Sequence, residues 1–421
     1  MNDLFENLPF QPANILLPRD CDLSLWSVVA CDQYTSRPEY WQRVEERVGR
    51  APSALRLILP ESCLEGPSVE TDIMEINNTM SRYLREGRFQ EYPDALIYVE
   101  RTLSNGGIRR GLVGMVDLEQ YDYEPGSKAA VRATEGTVMA RIPPRVAVRK
   151  NAPIELPHAM LLADCNDIIP PLSSQTEEME LLYDFDLMEE GGHLKGWLLT
   201  REQKERTAQA IGAWQEWADR ERDGLLFVVG DGNHSLAAAK ECYERRKGLT
   251  APEQWPELPS RYALCELVHF YDGSVEMEPI HRVVFGSKPE ELLDALMEYY
   301  PSAIQGKGEG HTISFVVNRW SQGALTVQKP PARLPVDTLQ RFLDDYIAAH
   351  PRARIDYIHG EEEARQLAGE REDAVAFLLP PPDWTELFNA IVRDGVLPRK
   401  TFSIGQAQDK RFYLEARKIR K

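Results

Sequence analysis

The stretch LLFVVGDGNHSLAAAK, residues 225–240, decides the fold class predicted for this chain. Its five leading apolar residues, 225–229, predict a strand that is buried on both faces. Gly230 and Gly232 follow and predict a sharp turn that a ligand can approach closely, because glycine has no side chain. Residues 235–247 are predicted to form a helix that ends with three cations before a glycine. The stretch therefore predicts a strand, a turn and a helix in succession.

The start of this helix is a candidate anion site. A helix that begins directly after a glycine turn presents backbone N–H groups without an intrahelical acceptor, together with a partial positive charge. The alternative is that Asp231 or Asn233 only caps the helix. The chain has no G-x-x-x-x-G-K-[ST] phosphate loop, so the prediction depends on this turn. The predicted phosphate contacts are Gly230, Gly232, Asn233, His234 and Ser235.

Residues 128–150 form a basic segment in an otherwise acidic chain. The segment has six cations and a single acid, Glu135. Because arginine donates hydrogen bonds in a fork that matches phosphate, we expect this segment to hold phosphate; a solvated surface loop is the alternative. Glu135 is a candidate general base or metal ligand, or else a salt-bridged structural acid. The cations are Lys128, Arg132, Arg141, Arg145, Arg149 and Lys150.

Composition restricts the partners and the compartment. The chain has 421 residues and a formal net charge of −18, which disfavours binding to a nucleic-acid backbone. No apolar run is long enough for a membrane span, and the N-terminus lacks the basic start and apolar middle of a signal peptide. The six cysteines form no C-x-x-C pair, which is typical of free thiols in a reducing compartment. We therefore expect a cytoplasmic protein.

The remaining chain predicts an α/β (mixed α+β) fold with a central mixed sheet and a smaller C-terminal α/β lobe. Residues 95–103 and 109–118 are β-prone runs joined by an Asn-Gly turn, which predicts a hairpin. Residues 175–188 have helical apolar spacing and are predicted to form an amphipathic helix. Three regions are expected: a helical and irregular region packing on the core, a central α/β domain with the turn, and the C-terminal lobe with a basic tail. Their bounds are 1–93, 94–287 and 288–421.

Several short sequence motifs, taken in order, resemble those of the bacterial domain-of-unknown-function family 1015 (DUF1015). Members of that family typically carry Asp-Gly-His-His-Arg where this chain reads Asp-Gly-Asn-His-Ser. Two departures follow, because Asn233 stands where the family usually has His and Ser235 where it usually has Arg. If that Arg clamps a terminal phosphate, its loss puts catalysis in doubt unless Arg132, Arg282 or Lys400 replaces it. The matching words lie at 98–99 with 110–111, 134–137, 231–235, 279–282 and 398–401.

The family's central word is similar to the phosphate-binding turn of the ParB and sulfiredoxin superfamily, which includes free serine kinases. The resemblance implies a nucleotide, ATP or ADP, whose phosphates contact residues 230–235, and it is compatible with Mg²⁺. The residues it implies for catalysis are Glu135, Asp231 and His234. Those it implies for cofactor binding, beyond the turn, are Arg132, Thr137, His281, Arg282 and Lys400.

Three functions are compatible with these features. The first is a nucleotide-dependent kinase acting on an amino acid or another small hydroxyl compound, with charge neutralised by cations and a carboxylate near the acceptor. The second is a non-catalytic nucleotide or metabolite sensor, in which the missing Arg marks lost chemistry. The third, nucleic-acid binding of the partitioning type, is disfavoured by the net charge. Histidine spacing favours no metal centre, and no G-x-S-x-G word points to a serine hydrolase.

Overall fold

A computed structural model describes residues 3–35, 37–63, 66–136, 142–156, 159–273, 277–381 and 384–420. The chain forms two compact units. The first comprises Met1–Val275 together with Gly405–Lys421, and the second comprises Glu276–Ile404. The C-terminal residues, which the sequence assigned to the last region, therefore belong to the first unit, because their apolar side chains are buried in its core.

In the first unit, runs of successive strands are separated by helices, and the alternation of strands and helices that the sequence predicted is found between residues 193 and 269. The strands are β1 (Phe10–Gln11), β2 (Ala13–Pro18), β3 (Val28–Val29), β4 (Phe89–Ala95), β5 (Ile97–Thr102), β6 (Ile108–Asp117), β7 (Tyr121–Asp122), β8 (Val131–Arg132), β9 (Ile154–Glu155), β10 (Ala159–Ala163), β11 (Glu180–Asp186), β12 (His193–Leu198), β13 (Phe227–Asp231) and β14 (Tyr262–His269). The helices are α1 (Leu23–Trp26), α2 (Pro38–Val48), α3 (Val69–Arg85), α4 (Ile142–Arg149), α5 (Arg201–Glu221) and α6 (Asn233–Lys247).

A large mixed sheet forms the centre of the first unit, in the order β11-β12-β5-β6-β14-β10-β13-β8-β7, with β1 on β6. The β10–β14, β13–β8 and β7–β8 pairs are parallel and the other pairs are antiparallel. The predicted hairpin is confirmed, because β5 and β6 pair in antiparallel register from Ile97↔Val113 to Thr102↔Ile108. The predicted α/β class with a central mixed sheet is likewise confirmed.

One predicted helix is wrong. Residues 175–188 form 3-10 turns followed by strand β11, which pairs with β12. The apolar spacing in this segment also fits a strand that is half covered, and tertiary packing decides between the two. Tyr183 provides that packing, since its buried ring lies over Gly196 of β12, where any Cβ would be 2.1 Å from the ring.

The C-terminal residues of the first unit add two further strands, β22 (Phe412–Tyr413) and β23 (Ala416–Lys418). Strand β23 lies between β2 and β9 in a four-stranded sheet, β4-β2-β23-β9, and β22 pairs with β3. The side chains of Phe412, Leu414 and Ala416 are fully buried. We name residues 405–420 the returning segment, since they rejoin the first unit after the chain has passed through the second.

The second unit has its own sheet, in the order β16-β18-β17-β20-β15-β19, with β21 on β15. A second α/β lobe with a separate sheet is what the sequence predicted. Its strands are β15 (Met277–Phe285), β16 (Ala303–Gln305), β17 (His311–Val317), β18 (Ser321–Val327), β19 (Arg354–His359), β20 (Ala374–Leu378) and β21 (Phe402–Ile404). Its helices are α7 (Pro289–Tyr299), α8 (Pro335–Ala349), α9 (Glu361–Gly369) and α10 (Trp384–Asp394).

No helix in the described parts of the chain combines the length and the apolar character needed to cross a bilayer. All six cysteines lie in those parts and are free thiols.

Candidate functional site

The turn at residues 230–235 connects β13 to α6 as the sequence predicted. Gly232 has a φ of 84°, a left-handed conformation that glycine adopts without steric penalty. Its carbonyl accepts the first helical hydrogen bond, from the N–H of Leu236 at 3.0 Å. Helix α6 therefore begins at the residue after the glycine, and its first-turn N–H groups point toward the end of the strand.

The alternative in which Asp231 or Asn233 caps the helix is wrong. Gly232 occupies the N-cap position, and glycine has no side chain that could make the capping hydrogen bond. The Oδ1 atom of Asp231 accepts instead from the N–H of Gly232 itself, at 2.8 Å. The helix start is thus built as an anion site requires, with the one carboxylate at the turn bound to the residue before the helix.

Asn233 turns inward and joins the turn to the chain around residue 134. The Oδ1 atom of Asn233 accepts from the N–H of Thr134 at 3.2 Å, and Nδ2 donates to Thr134 Oγ1 at 3.1 Å. Thr134 Oγ1 in turn donates to the carbonyl of Val229 at 2.6 Å. The half-buried Glu135 therefore follows a residue that is bonded directly to the turn. The two sequence motifs that contain Thr134 and Asn233 are therefore neighbours in the fold, although these residues are 99 positions apart in the chain.

A cavity of about 180 Å³ lies against the first turn of α6. Ser235 and Leu236 form part of its wall, and most of the remaining lining is apolar. An apolar cavity of about 150 Å³ admits benzene, so this one accommodates a group of about one ring system. Its other lining residues include Cys31, Met80, Leu264 and Tyr413, with Arg145, Arg149 and Glu155 as the charged groups.

Helix α4 brings part of the basic segment to this cavity. Val146 of α4 packs against Ala237 and Ala238 of α6, which places Arg145 and Arg149 in the cavity wall. The predicted proximity of the basic segment to the turn is thus found for α4. Thr137 and Arg141, also predicted to lie at the site, fall outside the described residues.

Arg149 forms a buried ion pair with Glu155. Its Nη1 atom donates to Glu155 Oε2, and the other carboxylate oxygen accepts from Nε of Arg417 at 2.8 Å. Burial raises the pKa of Glu155, but the two guanidinium groups outweigh it, so that the pKa lies below its usual value. Arg149 therefore balances a carboxylate of the protein.

Arg132 points away from the turn. It lies on β8, parallel to β13 and opposite Val228, and its Nε donates to the carbonyl of Ala129 at 2.9 Å. Its Nη2 donates to the carbonyl of Asp223, which precedes β13. Because the turn follows the other end of β13, this geometry does not support the predicted contact of Arg132 with phosphate. The side chain braces the strand entry instead.

His281, Arg282 and Lys400 lie in the second unit. His281 Nδ1 accepts from the N–H of Leu379 at 3.1 Å, and burial lowers the pKa of its imidazole. Arg282 is fully buried and donates to Gln340 Oε1 at 3.1 Å and to the carbonyl of Lys400 at 2.9 Å. Within that unit, these contacts brace the segment around Lys400, while the predicted cofactor role of the three residues stays a prediction.

The sequence reasoning missed a cluster of buried charges in the central sheet and the returning segment. Glu266 of β14, Met160 of β10 and Asp231 of β13 occupy one row across three strands. On β6 that row contains Val113, and Arg109 lies four residues from it, paired with Arg101 of β5. The returning segment adds Asp409, Lys410, Arg411 and Glu415, all buried. A lone acid in the apolar run of β14 and three successive charges at 409–411 were the available signals.

Glu266 lies between two arginines without a hydrogen bond of standard geometry. Its Oε1 is 3.9 Å from Arg109 Nε, and its Oε2 is 3.3 Å from Arg411 Nε. Both carboxylate oxygens, Arg109 Nε and Nη2, and Arg411 Nε are buried without a hydrogen-bond partner in the described parts of the chain. Burial lowers the pKa of the Arg109 guanidinium, although Glu266 opposes this effect. Buried charges without full hydrogen bonding are destabilising, so this cluster calls for a functional explanation.

Asp231 connects the cluster to the turn. Its Oδ2 atom is 3.7 Å from Nζ of Lys410, which is 6% exposed. Within the described residues, no group of three or more His, Cys, Asp or Glu side chains is arranged to hold a metal ion. Mg²⁺, however, is commonly bound through one or two carboxylates and the phosphates of a ligand. The predicted contact of Glu135 or Asp231 with Mg²⁺ stays a prediction.

Comparison with solved structures found distant similarity. A free serine kinase in complex with AMP has 13% identity and a TM-score of 0.38, with 72% of this chain and 92% of that chain covered. A conserved hypothetical protein from Pyrococcus furiosus has 11% identity and a TM-score of 0.37, covering 71% and 97%. SbnI from Staphylococcus aureus, truncated at its C-terminus, has 9% identity and a TM-score of 0.37, covering 70% and 82%. Similarity at this level carries no conclusion about activity.

Sequence comparison is more specific. No curated protein matches the chain. The family model described as a protein of unknown function, DUF1015, matches residues 10–346, which is most of the chain. This protein therefore belongs to the DUF1015 family.

Proposed function

We propose that the first unit binds a nucleotide, with a phosphate on the turn at residues 230–235 and the base in the adjoining cavity. One observation carries the proposal: Ser235 and Leu236 belong both to the first turn of α6 and to the wall of the cavity. A single ligand with an anionic end and a flat apolar end would therefore contact both features.

The helix start supplies the anion contact. The N-terminus of a helix carries a partial positive charge of about half an elementary charge, in addition to its N–H donors. Because the N-cap residue of α6 is a glycine, no cap side chain competes with a phosphate for the first-turn N–H groups. The half-buried His234 is the second residue of the helix and is our candidate side-chain donor to the phosphate.

The cavity supplies the apolar contact. Ligand sites combine a mostly apolar wall with a few polar groups that fix orientation. Here Ser235 and Arg145 are such groups, and the aromatic ring of Tyr413 lies in the wall. The volume of about 180 Å³ suits one nucleobase.

The reaction we propose for this site is phosphoryl transfer to a small hydroxyl compound. The acceptor oxygen would attack the terminal phosphorus of ATP, the bond to the leaving ADP oxygen would break, and the hydroxyl proton would pass to a carboxylate. Glu135 is the candidate base, since it follows Thr134, which is bonded to the turn. Mg²⁺ bound to the phosphates would offset their charge.

A non-catalytic sensor is the second candidate. Two observations favour it: the amide of Asn233 is engaged with Thr134, and the guanidinium of Arg132 donates to backbone carbonyls. Neither side chain is directed to a transferring phosphoryl group. A protein of this kind would bind the nucleotide without turnover.

Calorimetric titration of the full chain tests binding. AMP, ADP and ATP, with and without Mg²⁺, are compared with adenosine and with ribose 5-phosphate. We expect at least one nucleotide to bind, and both partial ligands to bind about tenfold more weakly or worse, because each loses one half of the contact. Absence of heat and of any thermal shift with every nucleotide would remove the proposal.

A second assay separates kinase from sensor. The chain is incubated with ATP or with ADP, together with Mg²⁺ and a panel of hydroxyl amino acids and polyols, and release of ADP from ATP or of AMP from ADP is followed. Acceptor-dependent release, abolished by Glu135→Gln, supports the kinase. Binding without release across the panel supports the sensor.

A further inference from the structure

We propose that Lys410, supplied by the returning segment, is the cation that binds the phosphate at the turn. This inference rests on the proposed function and extends it, because it assigns the charge that neutralises the ligand. The residues suggested by sequence for that task are engaged elsewhere: Arg132 with backbone carbonyls and Arg149 with Glu155.

Lys410 is placed at the turn by its contact with Asp231. Its Nζ lies 3.7 Å from Asp231 Oδ2, while Asp231 Oδ1 accepts from the N–H of Gly232. Asp231 therefore lies between the ammonium group and the helix start. A lysine ammonium is a compact charge with three donors and is a common phosphate ligand. From this position it can exchange the carboxylate for an incoming phosphate by a small side-chain movement.

The backbone of Lys410 is held by buried arginines. Arg101 donates to the carbonyls of Lys410 and Gln408, and also to Asp409 O at 3.3 Å. Arg109 Nη1 donates to the same Asp409 carbonyl at 2.8 Å. These contacts fix the chain on both sides of position 410, so Arg101 and Arg109 are positioning residues for the lysine.

The side chain of Asp409 fixes the segment from the other side. Its Oδ1 accepts from the N–H of Ser104 at 2.8 Å, and its Oδ2 accepts from Ser104 Oγ at 2.6 Å. Asp409 is 4% exposed, so these bonds are shielded from water. The residue thus ties the returning segment to the β5–β6 hairpin.

Unsatisfied donors beside the returning segment also point to an anionic ligand. Arg109 is 2% exposed, and its Nε and Nη2 are buried without a hydrogen-bond acceptor among the described residues. Its Nη1 is bonded to the carbonyl of Asp409, the residue before Lys410. The surroundings of Lys410 therefore contain a second buried cation with unused donors, which is the arrangement that a phosphate group would stabilise.

The test compares variants in calorimetric titrations with AMP in the absence of Mg²⁺. Lys410→Gln is expected to lower the affinity for AMP about tenfold or more and to leave the affinity for adenosine unchanged, while Lys410→Arg restores most of it. Lys418→Gln is the matched control, because Lys418 belongs to the same segment but pairs with Glu91 at 2.7 Å on the surface. It should bind AMP as the unchanged chain does.

A second variant should change the affinity for AMP in the opposite direction. Asp231→Asn removes the carboxylate that competes for Lys410, so AMP should bind several-fold more tightly, and this holds even if Lys410→Gln does not fold. Equal AMP affinity in a folded Lys410→Gln, or weaker binding by Asp231→Asn, overturns the role of Lys410 while the proposed function stands. If the unchanged chain binds neither AMP nor the other nucleotides, the proposed function fails and the inference fails with it.

Discussion

Asn233 and Thr134 hold each other through two hydrogen bonds, one from the backbone of Thr134 and one from the amide of Asn233. Asn233 is the first residue of α6, and Thr134 lies just after β8. Since the Thr134 side chain is fully buried, this pair is shielded from water and joins the turn to the segment that carries Glu135. The position where DUF1015 members usually have His thus has a structural function in this chain.

Asn233→Ala should destabilise the first unit by about 1–3 kcal/mol, because it leaves the buried N–H of Thr134 without an acceptor. Urea unfolding followed by circular dichroism measures the change. Thr134→Ser is the matched control: it keeps the hydroxyl and should lose far less. Equal stability of Asn233→Ala and the unchanged chain would contradict the importance of this pair.

Part of this site could be predicted because its signals are local. The apolar run, the glycines and the alanine-rich helix lie within residues 225–247, and the structure differs mainly at the boundaries, with β13 at Phe227–Asp231 and α6 beginning at Asn233. Gly232 must adopt a positive φ in any such turn, so the sequence alone predicts its role.

The rest of the site depends on long-range contacts. Lys410 contacts Asp231 although the two residues are 179 positions apart, and no periodicity in the sequence predicts that contact. The basic segment shows the converse limit: composition indicates charge but not direction, and Arg132 points away from the turn. Glu266 was visible as a charge inside an apolar strand, but the register of β14 with β6 pairs it with Val113, and only the side-chain coordinates show that its carboxylate lies 3.9 Å from Arg109 Nε.

His234→Ala should lower the affinity for AMP about tenfold, which is the scale of one charge-assisted hydrogen bond. His234 is half-buried in the first turn of α6, where its ring is our candidate donor to the phosphate. Calorimetric titration measures the affinity. His193→Ala serves as the control, since His193 bonds to Asp184 and Asp186 in the β11–β12 hairpin. If both variants bind AMP equally well, His234 does not contact the phosphate.

The Glu155 ion pairs should make the first unit sensitive to acid. A carboxyl whose pKa is lowered in the folded state stabilises that state above its unfolded pKa, which for Glu155 is about 4.5. That contribution is lost as the pH falls through the lower, folded pKa. We therefore expect the free energy of unfolding to decrease between pH 5 and pH 3, a window of about two pH units around the ordinary carboxyl pKa. Urea titration at each pH measures this decrease.

Glu155→Gln identifies the responsible group. It leaves Arg149 and Arg417 without their buried carboxylate, so it should be less stable at neutral pH and lose less on acidification. Glu202→Gln, which alters an exposed pair with Arg206, should keep the pH dependence of the unchanged chain. The assignment is wrong if Glu155→Gln also keeps that dependence.

Phe412 is expected to be the main apolar anchor of the returning segment. Its side chain is fully buried, and its ring lies 4.3 Å from the Arg411 guanidinium carbon and 5.5 Å from that of Arg101. Phe412→Ala should lower the free energy of unfolding by about 3–5 kcal/mol, and Phe412→Leu by less, because leucine refills most of the volume. Tyr271→Ala, at an exposed ring, should have little effect on urea unfolding. A small loss in Phe412→Ala would mean that the segment is held by its charges instead.

Gly232→Ala separates backbone strain from loss of the anion site. Gly232 and Gly106 have nearly the same positive φ, 84° and 82°, and a Cβ at Gly106 would meet no atom within 4 Å. Both alanine variants should therefore lose stability by about 1–2 kcal/mol from the backbone alone. In Gly232→Ala the strain falls at the N-cap, so the first N–H groups of α6 shift and AMP binding should weaken about tenfold. Gly106→Ala, in the β5–β6 turn, should bind AMP normally.

Thermal unfolding and calorimetric titration of the two variants measure these effects. Equal loss of stability with equal AMP affinity would show that the start of α6 does not bind the phosphate.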